Sequence, residues 1–573
     1  MSVRAIALTV ALAAVVPGGA GAQTTFTTTP GVPPQQPGRP AQPGAAAAEQ
    51  PPGTAVLRGF VVAADTGQPL RKAQVRITQA DVPAGPNVQR DSRLTTTDPR
   101  GLFEFRELRA GRYTLLAAKG SYVSMQYGQT RPNEPGKPIE ILDGQTIERV
   151  GFNLPPGGVI TGRILDEYGE PLSDVTVTPQ RYQYVQGQRR LVPAGRVGQT
   201  DDLGDFRIFG VPPGQYYLQA TYRNFAFGTS EDRVGYAPVY FPGTTEMNMA
   251  QRLTIGVGTQ VSNVVMTMRP VKTARVSGTV VDSHGRPMMG MLLFMQASGF
   301  MVVNMAAPIR PDGTFSMSGL APGEYILRAQ QNGRPPTETE VAFTRITIGT
   351  EDVDGLQLAA SPPSVARGRV IVDPAAAASL PSRLMISATP VQLMFMLGPM
   401  MPATVADDMS FELRSTPGRY RATLAPTGPG WAVRSVRLNG TDVTDAGFEI
   451  KAGEELTGLE VEITNRLTTI TGVVTNARGE ALKDYTTIVF AQEPARWPIA
   501  GRYQSLGRPA QDGRYKVTGL APGEYYIIAL ERVDTGDVND PEFLERIKTK
   551  ASTLTINEGE TKQIDLRISD FRF

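Results

Sequence analysis

Residues 312–329 read DGTFSMSGLAPGEYILRA, and residues 512–529 read DGRYKVTGLAPGEYYIIA. Asp-Gly opens a tight turn and an alternating stretch follows. Pro-Gly then sets a second turn, with Pro fixing φ at its first corner and Gly tolerating positive φ at the next. Beyond that turn Tyr325, Leu327 and Ala329 alternate, as do Tyr525, Ile527 and Ala529. A period of two puts the tyrosine, the aliphatic residue and the alanine on one buried strand face. GLAPGEY is therefore read as a hairpin corner carrying a core tyrosine, comparable to the tyrosine corner of sandwich folds, and as scaffold rather than a site.

Related stretches begin at Asp98 (DPRGLFEFRELRAGRYTLLA), Asp201 (DDLGDFRIFGVPPGQYYLQA) and, in worn form, Asp407 (DDMSFELRSTPGRYRATL). The aromatic before the turn and the tyrosine after it are ten positions apart in Phe103/Tyr113, Phe206/Tyr216, Phe315/Tyr325 and Tyr515/Tyr525, and nine apart in Phe411/Tyr420. Fixed spacing in five copies is an internal repeat with a period of about 100 residues. The structural-repeat residues are thus Tyr113, Tyr216, Tyr325, Tyr420 and Tyr525. Each copy starts with a short strand, a turn and another strand, as in ITGRILDEYGEPLSDVTVTP from Ile160, and ends in what reads as a closing hairpin, as in LTINEGETKQIDLRI. About seven strands per copy predict an all-β fold, a tandem array of about five seven-stranded antiparallel β-sandwich domains of Ig-like type. The expected boundaries are 54–156, 157–271, 272–362, 363–466 (degenerate) and 467–573. Short joints, PPGG at 155–158 and ASPPS at 360–364, suggest a semi-rigid string.

The succession Gly-x-Val-x-Asp-x-x-Gly-x-Pro-Leu, Asp-x-x-Gly-x-Phe and Leu-x-Pro-Gly-x-Tyr-x-Leu-x-Ala resembles the carboxypeptidase regulatory-like domain. The resemblance covers roughly residues 54–569 and is weak in the fourth copy, which lacks the first Gly-x-Pro turn. It implies a transthyretin-like sandwich, grouped with carbohydrate-binding-like folds, and specifies fold better than function.

The first 22 residues read as a signal peptide: Arg4, an apolar stretch from Ile6 to Val16, and Ala20-Gly21-Ala22 as cleavage site. Eleven apolar residues are too few to span a bilayer, so no transmembrane segment is expected after cleavage. Residues 23–53 are a Pro-, Gly- and Thr-rich stretch that cannot bury a core and reads as a disordered linker. The expected location is outside the cytoplasm: periplasmic, cell-surface or extracellular. With 57 basic against 55 acidic residues and no charge run, nothing forms the footprint of a nucleic-acid binder.

No catalytic residues are assigned, and an enzyme is not expected. The chain has no Cys and one His, His284, so neither a catalytic zinc set nor a Ser-His-Asp or Cys-His nucleophile can be assembled. Asp201, Asp202, Asp205, Asp407 and Asp408 offer oxygens for calcium but fall on the recurring turn, where Asp is expected for local hydrogen bonds. The Met-dense stretches PMMGMLLFMQASGFMVVNM and VQLMFMLGPMMP read as core filler or an apolar partner surface rather than a copper site. No cofactor and no metal are expected.

Aromatic residues outside the repeat positions gather in the second copy: Tyr182, Tyr184, Tyr222, Phe225, Phe227, Tyr236, Tyr240 and Phe241. Two readings fit. On a loop-rich end, rings flanked by Gln, Asn and Arg stack on sugars. Alternatively, they pack an elaborated loop onto the sandwich. The candidate ligand-binding set is Tyr182, Tyr184, Tyr222, Tyr236, Tyr240 and Phe241, and the expected function is polysaccharide binding by a secreted, non-catalytic array. The alternative is a structural spacer or a protein-protein assembly module of the bacterial cell envelope. One helix is expected at NDPEFLERIKTKA, with Asp540 as N-cap, Pro541 at the first position and Phe543, Leu544 and Ile547 on its apolar face.

Overall fold

The computed structural model describes residues 53–80, 92–185, 187–222, 234–296, 304–333, 335, 338–381, 383–391, 402–424, 430–499 and 501–571. The segment read as a signal peptide, its spacer up to residue 52, Phe225, Phe227 and parts of both Met-dense stretches lie outside the described residues. The described chain is all-β apart from α1 (Pro541–Lys548) and short 3-10 turns. It has five separate hydrophobic cores, built within residues 55–154, 160–268, 274–360, 366–463 and 470–566, and these segments are called units 1 to 5.

Unit 1 shows the plan. Its strands are β1 (Ala55–Ala63), β2 (Gln74–Gln79), β3 (Ser92–Thr96), β4 (Leu102–Leu108), β5 (Gly111–Ala118), β6 (Met125–Gln126), β7 (Ile139–Ile141) and β8 (Thr146–Leu154). One sheet runs β4-β1-β8 and the other β3-β2-β5, with β6 and β7 pairing to β5. Two expectations are corrected here. The order is not wholly antiparallel, because β1 runs parallel to β8, and the first and last strands pair in parallel in every unit. The corner between β4 and β5 is not a hairpin either, since its arms belong to opposite sheets, and the same holds for the closing β7–β8 pair. In unit 5 the flanking strands Arg514–Thr518 and Gly523–Leu530 belong to one continuous eight-stranded sheet without pairing to each other, whereas in units 1 to 4 each such turn is an arch from sheet to sheet. The reason is burial: both arms carry alternating apolar residues, and crossing over lets both bury that face in one core.

The corner tyrosines plug these cores. Tyr113, Tyr216, Tyr325, Tyr420 and Tyr525 are each at most 2% exposed. Each hydroxyl donates to the carbonyl oxygen four residues back, those of Arg109, Pro212, Ala321, Thr416 and Ala521, at 2.5–3.1 Å. One such bond contributes about 1 kcal/mol and satisfies a carbonyl at the arch. The residues after each tyrosine, Leu115 and Ala117, Leu327 and Ala329, Ile527 and Ala529, are buried as the period of two requires.

A second recurring pair explains the first-strand glycine. Gly59, Gly162, Gly278, Gly368 and Gly472 stand directly opposite Phe103, Phe206, Phe315, Phe411 and Tyr515. A Cβ on any of these glycines would lie 1.9–2.1 Å from a carbonyl oxygen of the parallel last strand. Only a bare backbone admits that strand, and the aromatic ring covers the gap.

The nine-residue spacing in unit 4 also has a physical cause. In units 1 to 3 the strand before the arch carries an extra residue, marked by a register shift. That bulge residue takes a positive φ: +56° at Glu107, +72° at Gly210 and +78° at Gly319. Unit 4 pairs Ser364–Arg369 with Ser410–Ser415 without a shift, so the residue missing from its sequence is the bulge. Unit 4 nonetheless has a five-stranded and a four-stranded sheet. A prediction follows for unit 1, where exposed Glu107 occupies a conformation that favours glycine. Glu107→Gly should stabilise unit 1 by about 0.5–1 kcal/mol, because relief of the left-handed strain exceeds the added chain entropy. Denaturant unfolding followed by hydrogen exchange over residues 55–154 checks this, and unchanged or lower protection would refute it.

The units do not form a string. Arg508 of unit 5 donates through Nη2 to the Gly128 carbonyl oxygen of unit 1 (3.1 Å), and Lys137 of unit 1 pairs with Asp484 of unit 5 (3.0 Å). Thr535 donates its backbone N–H to the Asn133 carbonyl oxygen (2.9 Å). Unit 5 also grips unit 4, where Arg502 donates to the carbonyl oxygens of Val433 and Arg434 and Tyr503 donates to Asp445. The expected helix is present as α1, with the Asp540 side chain accepting from the Glu542 N–H at 2.9 Å and Phe543, Leu544 and Ile547 buried in unit 5.

Candidate binding surface

The recurring Asp residues are occupied by their own turns. Asp98, Asp201, Asp312, Asp408 and Asp512 each accept a backbone N–H two residues on, at 2.8–3.0 Å. Asp205 pairs with Arg163, whose bond holds its carboxyl below the usual range. His284 sits in the turn after Asp282, beside the Ser283 hydroxyl. Among the described residues no three His, Cys, Asp or Glu side chains come together as metal ligands. Likewise among the described residues, no helix is long and apolar enough to cross a membrane.

A cavity of about 310 Å³ opens between units 4 and 5. Apart from Arg466, its charged lining is engaged: Arg434 with Glu462 and Glu558, Arg421 with the Asp445 carbonyl oxygen, and Arg502 with two carbonyl oxygens. It is a junction held together from within.

The aromatic surface lies on unit 2, whose relevant strands are β9 (Gly158–Leu165), β10 (Val175–Val185), β11 (Gln188–Pro193), β12 (Gly198–Gln199), β13 (Asp205–Val211), β14 (Gly214–Tyr222), β15 (Val234–Ala237) and β16 (Val239–Tyr240). One sheet runs β11-β10-β14-β16. Val175 and Val177 of β10 and Tyr216, Leu218 and Ala220 of β14 fill the core. Alternation therefore turns Gln180, Tyr182 and Tyr184 of β10, and Tyr217 and Gln219 of β14, to the outer face.

Register assembles these residues into a row. Gln180 stands opposite Tyr217, and Gln219 stands opposite Tyr240. Gln180 Nε2 donates to Gln219 Oε1 (2.8 Å), and Gln219 Nε2 donates to the Tyr240 hydroxyl oxygen (3.2 Å). Gln180 is 6% exposed, yet its Oε1 has no hydrogen-bond partner among the described residues. Tyr182 and Tyr217 meet edge to face at 5.7 Å. Arg189 Cζ lies 4.1 Å from the Tyr182 ring centre and Arg252 Cζ 5.7 Å from that of Tyr217. Burial raises the Tyr240 pKa above the ordinary phenol value, so its hydroxyl keeps its proton. Burial also raises that of Tyr184, with Asp540 and Glu542 of unit 5 adding to the shift.

The six candidate residues do not share one surface. Tyr182, Tyr184 and Tyr240 belong to the sheet face rather than to a loop-rich end. Tyr222, Tyr236 and Phe241 are partly buried against the unit 2 core. Tyr222 and Tyr236 meet edge to face at 5.3 Å, and the Tyr236 hydroxyl donates to Glu167 at 2.7 Å. Burial, reinforced by that bond, pushes the Tyr236 pKa well up. Gln180, Tyr217, Gln219, Arg189 and Arg252 were not among the sequence candidates. The alternation of TVTPQRYQYV and QYYLQAT carries a signal for the first three, but the cross-strand register that unites them is not local.

Comparison with known proteins adds the following. No curated protein matches the chain. Among solved structures, similarity is found to GBS52, the minor pilin of Streptococcus agalactiae, at 16% identity and TM-score 0.21, covering 38% of this chain and 96% of that one. It extends to BcpA, the major pilin subunit of Bacillus cereus, at 11% identity and TM-score 0.14, covering 52% and 99%. The Bacillus anthracis TIE protein matches at 11% identity and TM-score 0.15, covering 72% and 74%. Residues 56–154 match the carboxypeptidase regulatory-like domain, the family that the Gly, Asp-Gly-aromatic and Pro-Gly-Tyr motifs of the repeat resemble.

Proposed function

We propose that this chain is an exported, non-catalytic array of β-sandwich modules that binds polysaccharide on the outer sheet face of unit 2. The observation that carries the reading is the row Gln180–Gln219–Tyr240 beside Tyr182 and Tyr217. Its hydrogen bonds run one way and end on the Tyr240 hydroxyl oxygen, which leaves that hydroxyl's proton to be donated, while Gln180 Oε1 at the other end is buried beneath the face. Sugar hydroxyls both donate and accept, and sugar ring faces are apolar enough to lie on tyrosine. A rigid sheet holds these groups in place before the ligand arrives.

The test is affinity electrophoresis and pull-down of the secreted chain against soluble and insoluble polysaccharides, with and without calcium. Tyr182→Ala with Tyr240→Ala should weaken binding at least about tenfold, since such contacts act as anchors. Melting should stay unchanged for Tyr182→Ala alone, since Tyr182 is 37% exposed, and fall somewhat for Tyr240→Ala, since Tyr240 is half-buried and bonded to Gln219. Loss of binding in step with loss of melting temperature would show packing alone. A blank panel would favour an envelope scaffold or assembly role, to which the contacts of unit 5 with units 1 and 4 lend support.

A further inference from the structure

We infer that the polysaccharide taken by the unit 2 face is acidic, carrying carboxylates of the uronate type; this rests on the sugar-binding reading above. The argument is one of charge. On this face Arg189 lies over Tyr182 and Arg252 over Tyr217. Arg252 Nη1 donates to Gln215 Oε1 (3.1 Å), and neither arginine forms an ion pair with a carboxylate among the described residues. On the opposite sheets of the sandwiches the first-strand arginines are neutralised across strands, Arg58 by Glu104 and Glu148, Arg163 by Asp205, Arg275 by Asp354 and Arg367 by Glu412, whereas on the sheet of unit 3 that corresponds to this one Arg328 also lies over a ring, that of Phe343, without a carboxylate among the described ion pairs.

The carboxylates facing this surface come from unit 5. Asp540 and Glu542, at the start of α1, act on Tyr184 at one end of the row. The other end, with Tyr217, Gln219, Tyr240 and Arg252, has no such neighbour among the described ion pairs and hydrogen bonds. A guanidinium held beside a tyrosine ring keeps N–H groups for a carboxylate carried by a sugar ring on the same aromatic surface. Neutral Gln219, bonded to the Tyr240 hydroxyl, supplies a hydroxyl contact at the Arg252 end.

The deciding probes are polygalacturonate and its fully methyl-esterified form, which share a backbone and differ in charge. The full chain should bind the acidic form at least about tenfold more tightly, and added salt should weaken that binding. Arg189→Gln and Arg252→Gln should each cost about tenfold on the acidic form and little on the ester, corresponding to loss of one charge-assisted hydrogen bond. Equal, salt-insensitive binding of both forms would overturn the acidic preference while leaving sugar binding intact. Binding of neither, nor of any other glycan in the panel, would overturn both readings.

Discussion

Gly278→Ala is expected to destabilise unit 3 by more than about 3 kcal/mol, since overpacking against backbone allows no side chain to yield. The new Cβ would stand 1.9 Å from the Leu356 carbonyl oxygen and 2.7 Å from its carbon. Relief requires moving the last strand of the unit, Val353–Ala359, away from its parallel partner Ala274–Val281. That would uncover Val276, Val280 and Leu358 in the core. Gly349→Ala is the control, because nothing lies within 4 Å of its Cβ position, and its effect should stay within about 0.5 kcal/mol. Hydrogen exchange over residues 274–360 separates the two, since a chain with five cores need not unfold in one step. Protection in Gly278→Ala equal to that in the control would show that the strands part without cost.

Arg508→Ala should cost about 2–3 kcal/mol and loosen the hold of unit 5 on unit 1. The Arg508 side chain is 5% exposed. Its Nη1 donates to the Tyr485 carbonyl oxygen (2.7 Å) and Thr486 Oγ1 (3.1 Å), and its Nη2 to Asp484 Oδ1 (2.9 Å) and the Gly128 carbonyl oxygen (3.1 Å). Truncation leaves buried acceptors without a donor. Lys137→Ala removes an ion pair whose partner, Asp484, is 47% exposed, and solvent screening should keep its cost below about 1 kcal/mol. Small-angle scattering should show a larger radius of gyration for Arg508→Ala than for Lys137→Ala, together with new proteolytic sites between the units. Identical scattering from both variants and the unaltered chain would show that the other contacts of unit 5 suffice.

Much of the fold was legible because its determinants are local. Asp-Gly turns, the period of two after each corner tyrosine and the N-cap at Asp540 all act within a few residues, and each is found where the pattern places it. The positive φ expected at the Gly of Pro-Gly falls instead on Gly319 and Gly519, and Gly523 is close to extended. The hairpin reading of GLAPGEY failed because a turn motif specifies a change of direction and not which sheet receives the next strand. The same limit hid the parallel pairing of first and last strands, whose partners lie about 75 or more residues apart, as in Gly278 and Leu356. The site was half legible. Tyr182, Tyr184 and Tyr240 stood out as aromatic residues, whereas Gln180, Gln219 and Tyr217 gain meaning only from the register of β10, β14 and β16.

The repeat, the all-β class and the buried tyrosine corners follow from the sequence alone, because they rest on turn chemistry and alternation over short spans, whereas the glycine of each first strand is explained only by the distant last strand that lies against it. Only the tertiary structure decided which sheet each strand joins, that unit 5 closes onto unit 1 through residues such as Arg508 and Gly128, and that three tyrosines form a face with two glutamines. Those outcomes depend on contacts between residues distant along the chain, where each pairing competes with many alternatives of similar local energy and the collective burial of the five cores selects among them.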